Sequence, residues 1–326
     1  MSHLTGFLKK HALAIKIVAG LGIFAILMVR MDWSLVESMT LNLSYGLSAI
    51  AFGLIFLQLM LLAFRWQIFM NAEEPLIGYK VALNITTASQ LANFLFITSV
   101  GGILVKVALA RHYGLSLFKA ICATVADRLM TLLAIITYAV LFLPALTGLL
   151  PSSLIDTILG FAALALVVSF LFPSLLINFL KPLIMKNRQI ASTAIYLRNL
   201  VRTPSLAGPV LASSLAAQIF YFLAVCFAAR SIGLEFSVTQ MIAMLPMITL
   251  ISSLPIGLGG WGIREGAFVF GLGLIGIPTE SAFLISVQIG ILGILTTLAA
   301  ALPAFLTGNL QNVFEKAHTF KKDKEA

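Results

Sequence analysis

The chain has 326 residues, of which 60% are hydrophobic and 10% charged, and its mean hydropathy is +1.05. A soluble fold needs a charged shell that this composition does not supply, so soluble domains are excluded and an all-α polytopic membrane protein is expected. The net charge of +9 does not imply nucleic acid, because the basic residues fall in the terminal tails and short loops, as cytoplasmic loops facing an acidic leaflet require.

Seven windows of at least 24 residues lack Asp, Glu, Lys and Arg: 38–64, 81–105, 129–155, 157–180, 203–229, 236–263 and 281–314. An eighth apolar stretch, about 13–29, is interrupted only by Lys16. About 20 apolar residues span the hydrocarbon core as a helix. The first stretch follows Lys9 and Lys10 as a secretory signal would, but Val29-Arg30-Met31-Asp32-Trp33 reads as an interfacial stop, and a retained helix is expected. The next ends at Arg65-Trp66, which reads as an interfacial anchor rather than a site. Window 81–105 carries Asn84, Thr86, Thr87, Ser89, Gln90, Asn93, Thr98 and Ser99 before Gly101-Gly102. Asn84, Thr87, Gln90 and Asn93 either line a cavity or hydrogen-bond between helices. Window 236–263 holds Pro246, Ser252, Ser253 and Pro255 before Gly257, Gly259 and Gly260.

Lysine and arginine in short loops favour the cytoplasm. The N-terminus (Lys9, Lys10, Lys16), the 177–207 linker (Lys181, Lys186, Arg188, Arg198, Arg202) and the 310–326 tail are all basic, so all three belong inside. Eight simple crossings would put the linker outside. The conflict disappears if windows 81–105 and 236–263 enter and leave on one side, since broken helices are tolerated at membrane depth where protein or a wet cavity covers them. The expected architecture is therefore six full crossings near 12–30, 43–64, 117–143, 154–176, 208–230 and 280–306, with re-entrant hairpins near 81–113 and 239–276. The chain forms one membrane domain, 1–326, with both termini cytoplasmic.

The hairpins share a pattern. Gly101-Gly102 is followed four residues on by Lys106, and Gly259-Gly260 by Arg264; each then has a half-helix, a turn glycine (Gly114, Gly276) and a long span. Opening from opposite sides, units of about 65–143 and 230–306 form an inverted repeat, an arrangement that places substrate near the midplane of many transporters.

Intramembrane charge is costly and marks functional candidates. Arg264-Glu265 precedes an apolar half-helix whose N-terminus offers unpaired N–H groups, suiting a phosphate; alternatively the pair locks the turn. Lys106 is its counterpart, as a headgroup ligand or a side chain snorkelling to the interface. Asp127-Arg128 lies inside a long apolar stretch, and Asp127 can answer either Lys106 or Arg264. His3, His11, His112 and His318 form no metal-spaced cluster, Cys122 and Cys226 sit in apolar stretches, and no P-loop, Rossmann fingerprint or nucleophile elbow is present. No cofactor and no metal are expected.

Leu254-Pro255 through Gly259-Gly260, then Gly262-Ile263-Arg264-Glu265-Gly266-Ala267, resembles the C-terminal signature of the lysylphosphatidylglycerol synthase transmembrane-region family, also called flippase-like. Arg65-Trp66, Gly101-Gly102, Gly114 and Asp127-Arg128-Leu129 fall in the order that family shows, and the resemblance covers nearly the whole chain. Members often carry a proline before the first glycine turn and an acid followed by arginine after it; here Ser99-Val100 precede and Lys106 supplies the cation. The resemblance implies a membrane unit handling lipids. The chain ends shortly after its last predicted span, so no aminoacyl-transfer domain and no lysyl transfer are expected. The expected function is a cytoplasmic-membrane flippase for an anionic or polyprenyl-phosphate lipid, its headgroup held by Arg264, Glu265, Lys106, Gly101, Gly102, Gly259, Gly260, Asp127 and Arg128. The alternatives are a transferase on a polyprenyl-phosphate lipid, with Asp32 and Glu37 available at an outer face, and an accessory subunit of a lipid-modifying enzyme.

Overall fold

The computed structural model describes residues 31–95, 101–149, 203–253 and 262–306, with Tyr196 and parts of 22–29 and 151–163. Among them the fold is helical, with no β-strand. Most of the spans expected near 12–30 and 154–176, most of the 177–207 linker, the 310–326 tail, and Gly259 and Gly260 lie outside the described residues.

Helix α1 (Trp33–Leu41) starts where the Asp32 carboxylate accepts from the backbone N–H of Ser34 at 3.0 Å and from its hydroxyl at 2.6 Å. This exposed cap is held below the ordinary carboxylate range by those bonds, the hydroxyl's first. Helix α2 (Tyr45–Met70) follows, then two short helices, α3 (Tyr79–Leu95) and α4 (Gly101–His112), then α5 (Leu117–Phe142), which runs on as a 3-10 turn at Leu143–Leu146. The second half has the same plan: α6 (Pro204–Ser231), short helices α7 (Val238–Ser252) and α8 (Ile263–Gly273), then α9 (Thr279–Leu306).

Helix lengths run 26, 17, 12 and 26 residues in the first half and 28, 15, 11 and 28 in the second. The turns after the second short helix also match. Gly114 (φ 99°) and Gly276 (φ 80°) adopt the left-handed conformation that a side chain resists. In each, the next residue's N–H bonds five residues back (Leu115 to Ala110 at 3.0 Å, Ile277 to Leu272 at 3.1 Å), which closes a Schellman motif.

Among the described residues, four helices are long and apolar enough to cross a membrane: Tyr45–Met70, Leu117–Leu146, Pro204–Ser231 and Thr279–Pro303. They coincide with four of the expected crossings. On α9, Ile291, Leu295, Leu298 and Leu302 form an exposed apolar stripe at helical spacing, a face that suits lipid rather than water. Several polar and charged side chains, among them Arg65, Lys106, Asp127, Gln218 and Glu265, are buried instead.

Helices α2 and α6 run antiparallel. The N–H of Ser44, at the start of α2, bonds to the carbonyl of Ser231, at the end of α6, at 2.8 Å. Near the other end, Arg65 reaches Ser214. Buried alanines (Ala51 and Ala63 on α2; Ala224, Ala228 and Ala229 on α6) let helix backbones approach, as membrane helix packing favours. Gln288 of α9 donates to Ser48 on α2 and Ser231 on α6, at 3.1 and 2.8 Å, and ties three long helices together.

Each short-helix pair has its own core. Trp66, Phe69, Ile85, Leu109 and Tyr196 cluster around the first, and Phe222, Met244, Ile248, Phe268 and Leu272 around the second. The polar groups collect between them.

Candidate functional site

The centre of the bundle holds a three-way ion cluster. Asp127 of α5 accepts from Arg65 Nε at 2.7 Å through one carboxylate oxygen and from Lys106 Nζ at 2.7 Å through the other. Arg65 also donates to Ser214 of α6 at 2.9 Å and to Thr131 of α5 at 2.8 Å. Lys106 Nζ lies 4.4 Å from the centre of the Trp66 ring, a favourable cation–π position. Arg65, Lys106 and Asp127 are all buried, so removing the carboxylate would leave two uncompensated cations.

This corrects two expectations. Arg65-Trp66 is not an interfacial anchor: α2 continues to Met70, and Arg65 is 2% and Trp66 0% exposed. Lys106 does not snorkel outward: it is buried, and its ammonium pairs with Asp127. Of the two cations offered to Asp127, it takes Lys106 and not Arg264. Arg65 is one site residue that sequence reasoning missed; Gln58, Gln218 and Tyr221, which line the adjoining cavity, are others. The available signal for Arg65 was the uncharged stretch beyond it, Trp66 to Ala72, which lets the helix carry the arginine inward from its end.

The cluster lines a cavity of about 580 Å3. Arg128, Gln218, Tyr221 and Thr249 also face it, with Gln90 and Asn93. Asn84 and Thr87, expected beside them, line neither this cavity nor its neighbour; Thr86 and Ser89 do. The reason is helical phase: 86, 89, 90 and 93 share one face of α3, and 84 and 87 fall on another. Arg128 is exposed and makes no hydrogen bond or ion pair among the described residues.

The first glycine turn is built for close packing. The Asn93 side-chain oxygen accepts from Gly102 N–H at 3.0 Å and caps α4, while the Ser89 hydroxyl donates to the Gly102 carbonyl at 2.8 Å. A Cβ on Gly102 would fall on the Asn93 side chain and the Ser89 carbonyl. Gly101, also buried, opens the helix.

In the second half, Glu265 is fully buried and accepts from Gly262 N–H, capping α8 from within. Arg264 donates to the same carboxylate at 2.7 and 3.0 Å, and Ser286 joins them at 3.3 Å. The structure therefore has the turn-locking pair, and the helix N-terminus carries its own anion. The Arg264 guanidinium lies on Gly290, where a Cβ would meet it directly, and lines a smaller cavity of about 220 Å3 with Gln58, Gln90, Tyr221 and Thr296. Gln58, Leu62, Gln90 and Tyr221 belong to both cavities.

Lys106 and Arg264 are not equivalent in position. Lys106 is the sixth residue of α4 and Arg264 the second of α8. Counted back from the turn glycines, Gly114 and Gly276, Lys106 is eight residues away and Arg264 twelve, a displacement of about one helical turn. The paired-glycine match aligns the two cations but leaves the turn glycines, and the half-helices they end, four residues out of register.

The family model for the lysylphosphatidylglycerol synthase TM region matches residues 13–301. The chain belongs to this family. No curated protein matches the chain. Membership, together with the four apolar spans, makes this lysylphosphatidylglycerol synthase TM-region protein a multi-pass membrane protein with a lipid-related function.

Proposed function

We propose that the protein is a lipid transporter of flippase type, moving an anionic or polyprenyl-phosphate headgroup through the polar cavity between the two short-helix pairs while the lipid tails stay in the bilayer. The observation that carries this reading is the charged, polar interior enclosed by helices with lipid-facing apolar stripes. Burying Arg65, Lys106 and Asp127 in an apolar bundle is costly even when they are paired, and such intramembrane charge favours a functional site. The matching lengths and turns of the two halves, and the antiparallel course of α2 and α6, support an inverted repeat in which both short-helix pairs are re-entrant. Each unit then begins at a long helix, α2 or α6. The basic tails favour cytoplasmic termini in the cytoplasmic membrane. Lys106 and Arg128 contact the phosphate, while Arg264 with Glu265 holds the second half-helix in place. In the transferase reading Asp32 would be an acid at the outer face, but it is already engaged as a helix cap.

The test is headgroup movement in proteoliposomes. The purified protein should accelerate exchange of a labelled phosphate-bearing lipid between leaflets, and Lys106→Gln should lower that rate about tenfold or more, as expected for a lost charge-assisted contact. Folded wild-type protein that moves no phosphate-bearing lipid would count against autonomous transport.

A further inference from the structure

Building on the transport reading, we infer that the cavity selects a phosphate headgroup ending in uncharged hydroxyl-bearing groups and rejects headgroups that carry an ammonium, including the lysylated lipid after which the family is named.

Charge balance is the first argument. Among the described residues, the charged side chains lining the larger cavity are Arg65, Lys106, Arg128 and Asp127, three cations against one acid. Both oxygens of Asp127 are engaged by buried cations. The other nearby acid, Glu265, is 0% exposed and committed to Gly262, Arg264 and Ser286. The segments joining the short helices, 96–100 and 254–261, contain no charged residue. An entering ammonium thus meets excess positive charge and finds no open carboxylate, a like-charge juxtaposition that costs several kcal/mol in general. A phosphate meets Arg128, which has no ion-pair partner among the described residues, beside Lys106.

The second argument is independent of charge. Gln218 is 4% exposed, lines the cavity, and its amide nitrogen has no hydrogen-bond partner among the described residues. A buried amide donor left unpaired is expensive, so its retention in the cavity wall points to an acceptor supplied by a ligand. One side-chain turn along α6 stands Tyr221, which with Gln58 and Gln90 lines the wall common to both cavities. Gln58 and Tyr221 form no side-chain hydrogen bond among the described residues. Amides and a phenol donate to and accept from hydroxyls without carrying charge. The charged end holds the phosphate and the shared wall reads glycerol- or sugar-type hydroxyls, whichever lipid anchor bears them.

The experiment compares labelled phosphatidylglycerol, lysylphosphatidylglycerol, phosphatidylethanolamine and a polyprenyl-phosphate sugar in proteoliposomes, with binding of the same headgroups measured in detergent by thermal shift. The hydroxyl-bearing anionic lipids should be moved and bound at least about tenfold better than the two ammonium lipids; the glycerol and sugar arms distinguish the anchors. Gln218→Glu, which places an acid in the cavity at nearly constant shape, should shrink that preference several-fold. Arg128→Glu, at an exposed position, should abolish it with little effect on folding. Equal movement of all classes overturns the selectivity while leaving transport standing. If nothing moves, transport fails, and binding alone decides: preference for the anionic hydroxyl lipids upholds the inference. Preference for ammonium lipids, or no binding at all, overturns it.

Discussion

The two halves of this molecule each place an acid and an arginine deep in an apolar bundle, yet they use them in opposite ways. In the second half Arg264 and Glu265 are chain neighbours, their charges cancel, and the carboxylate also caps its own helix. In the first half one acid, Asp127, serves two cations from two other helices, and Arg128 adds a third beside the cavity. A closed pair fixes a turn. An over-subscribed acid leaves positive charge for something else to answer, so the first half is better suited to meet an anion, although the second bears the more distinctive motif.

The contrast can be broken most severely at Asp127. Asp127→Ala strands two buried cations and should cost about 3–5 kcal/mol or more, seen as loss of folded protein in detergent melting. Glu265→Ala strands only one, but it also uncaps α8. Its cost should be about 3–5 kcal/mol, and it should fall together with Arg264→Ala in a double-mutant cycle, where Asp127→Ala does not. The glycines come next. Gly102→Ala and Gly290→Ala should each cost about 1–3 kcal/mol by overpacking, Gly102 by parting α3 from α4 and Gly290 by displacing the Arg264 guanidinium. The smallest effect on stability belongs to Arg128→Gln, within about 0.5 kcal/mol of wild type. That variant should nevertheless slow movement of an anionic lipid, and a normal rate with normal folding would remove Arg128 from the site.

Much of the site was legible in order but not in contact. Gly101-Gly102, Lys106, Asp127-Arg128 and Arg264-Glu265 stand out because charge and paired glycines are rare in apolar runs. The polar run of α3 was legible as well, but its phase was not: Asn84 and Thr87 look as suitable as Thr86 and Ser89 until the helix is rotated against its neighbours. Arg65 was misplaced because the edge of a charge-free window looks like the edge of a membrane span, whereas the helix itself runs on to Met70. The equation of Lys106 with Arg264 failed because paired glycines can sit inside a helix or ahead of it, which shifts whatever follows by a turn.

By itself the sequence determined the solvent, the long apolar helices, the two interrupted segments and the family, because hydropathy and backbone breaks are properties of short stretches of chain. Only the tertiary structure decided which cation Asp127 answers, that Arg65 joins it from 62 residues away, and which face of α3 meets the cavity. Those outcomes depend on how helices rotate and approach, and in a nearly uniform apolar sequence the pattern along one helix does not specify its rotation. Burial of a few polar groups does.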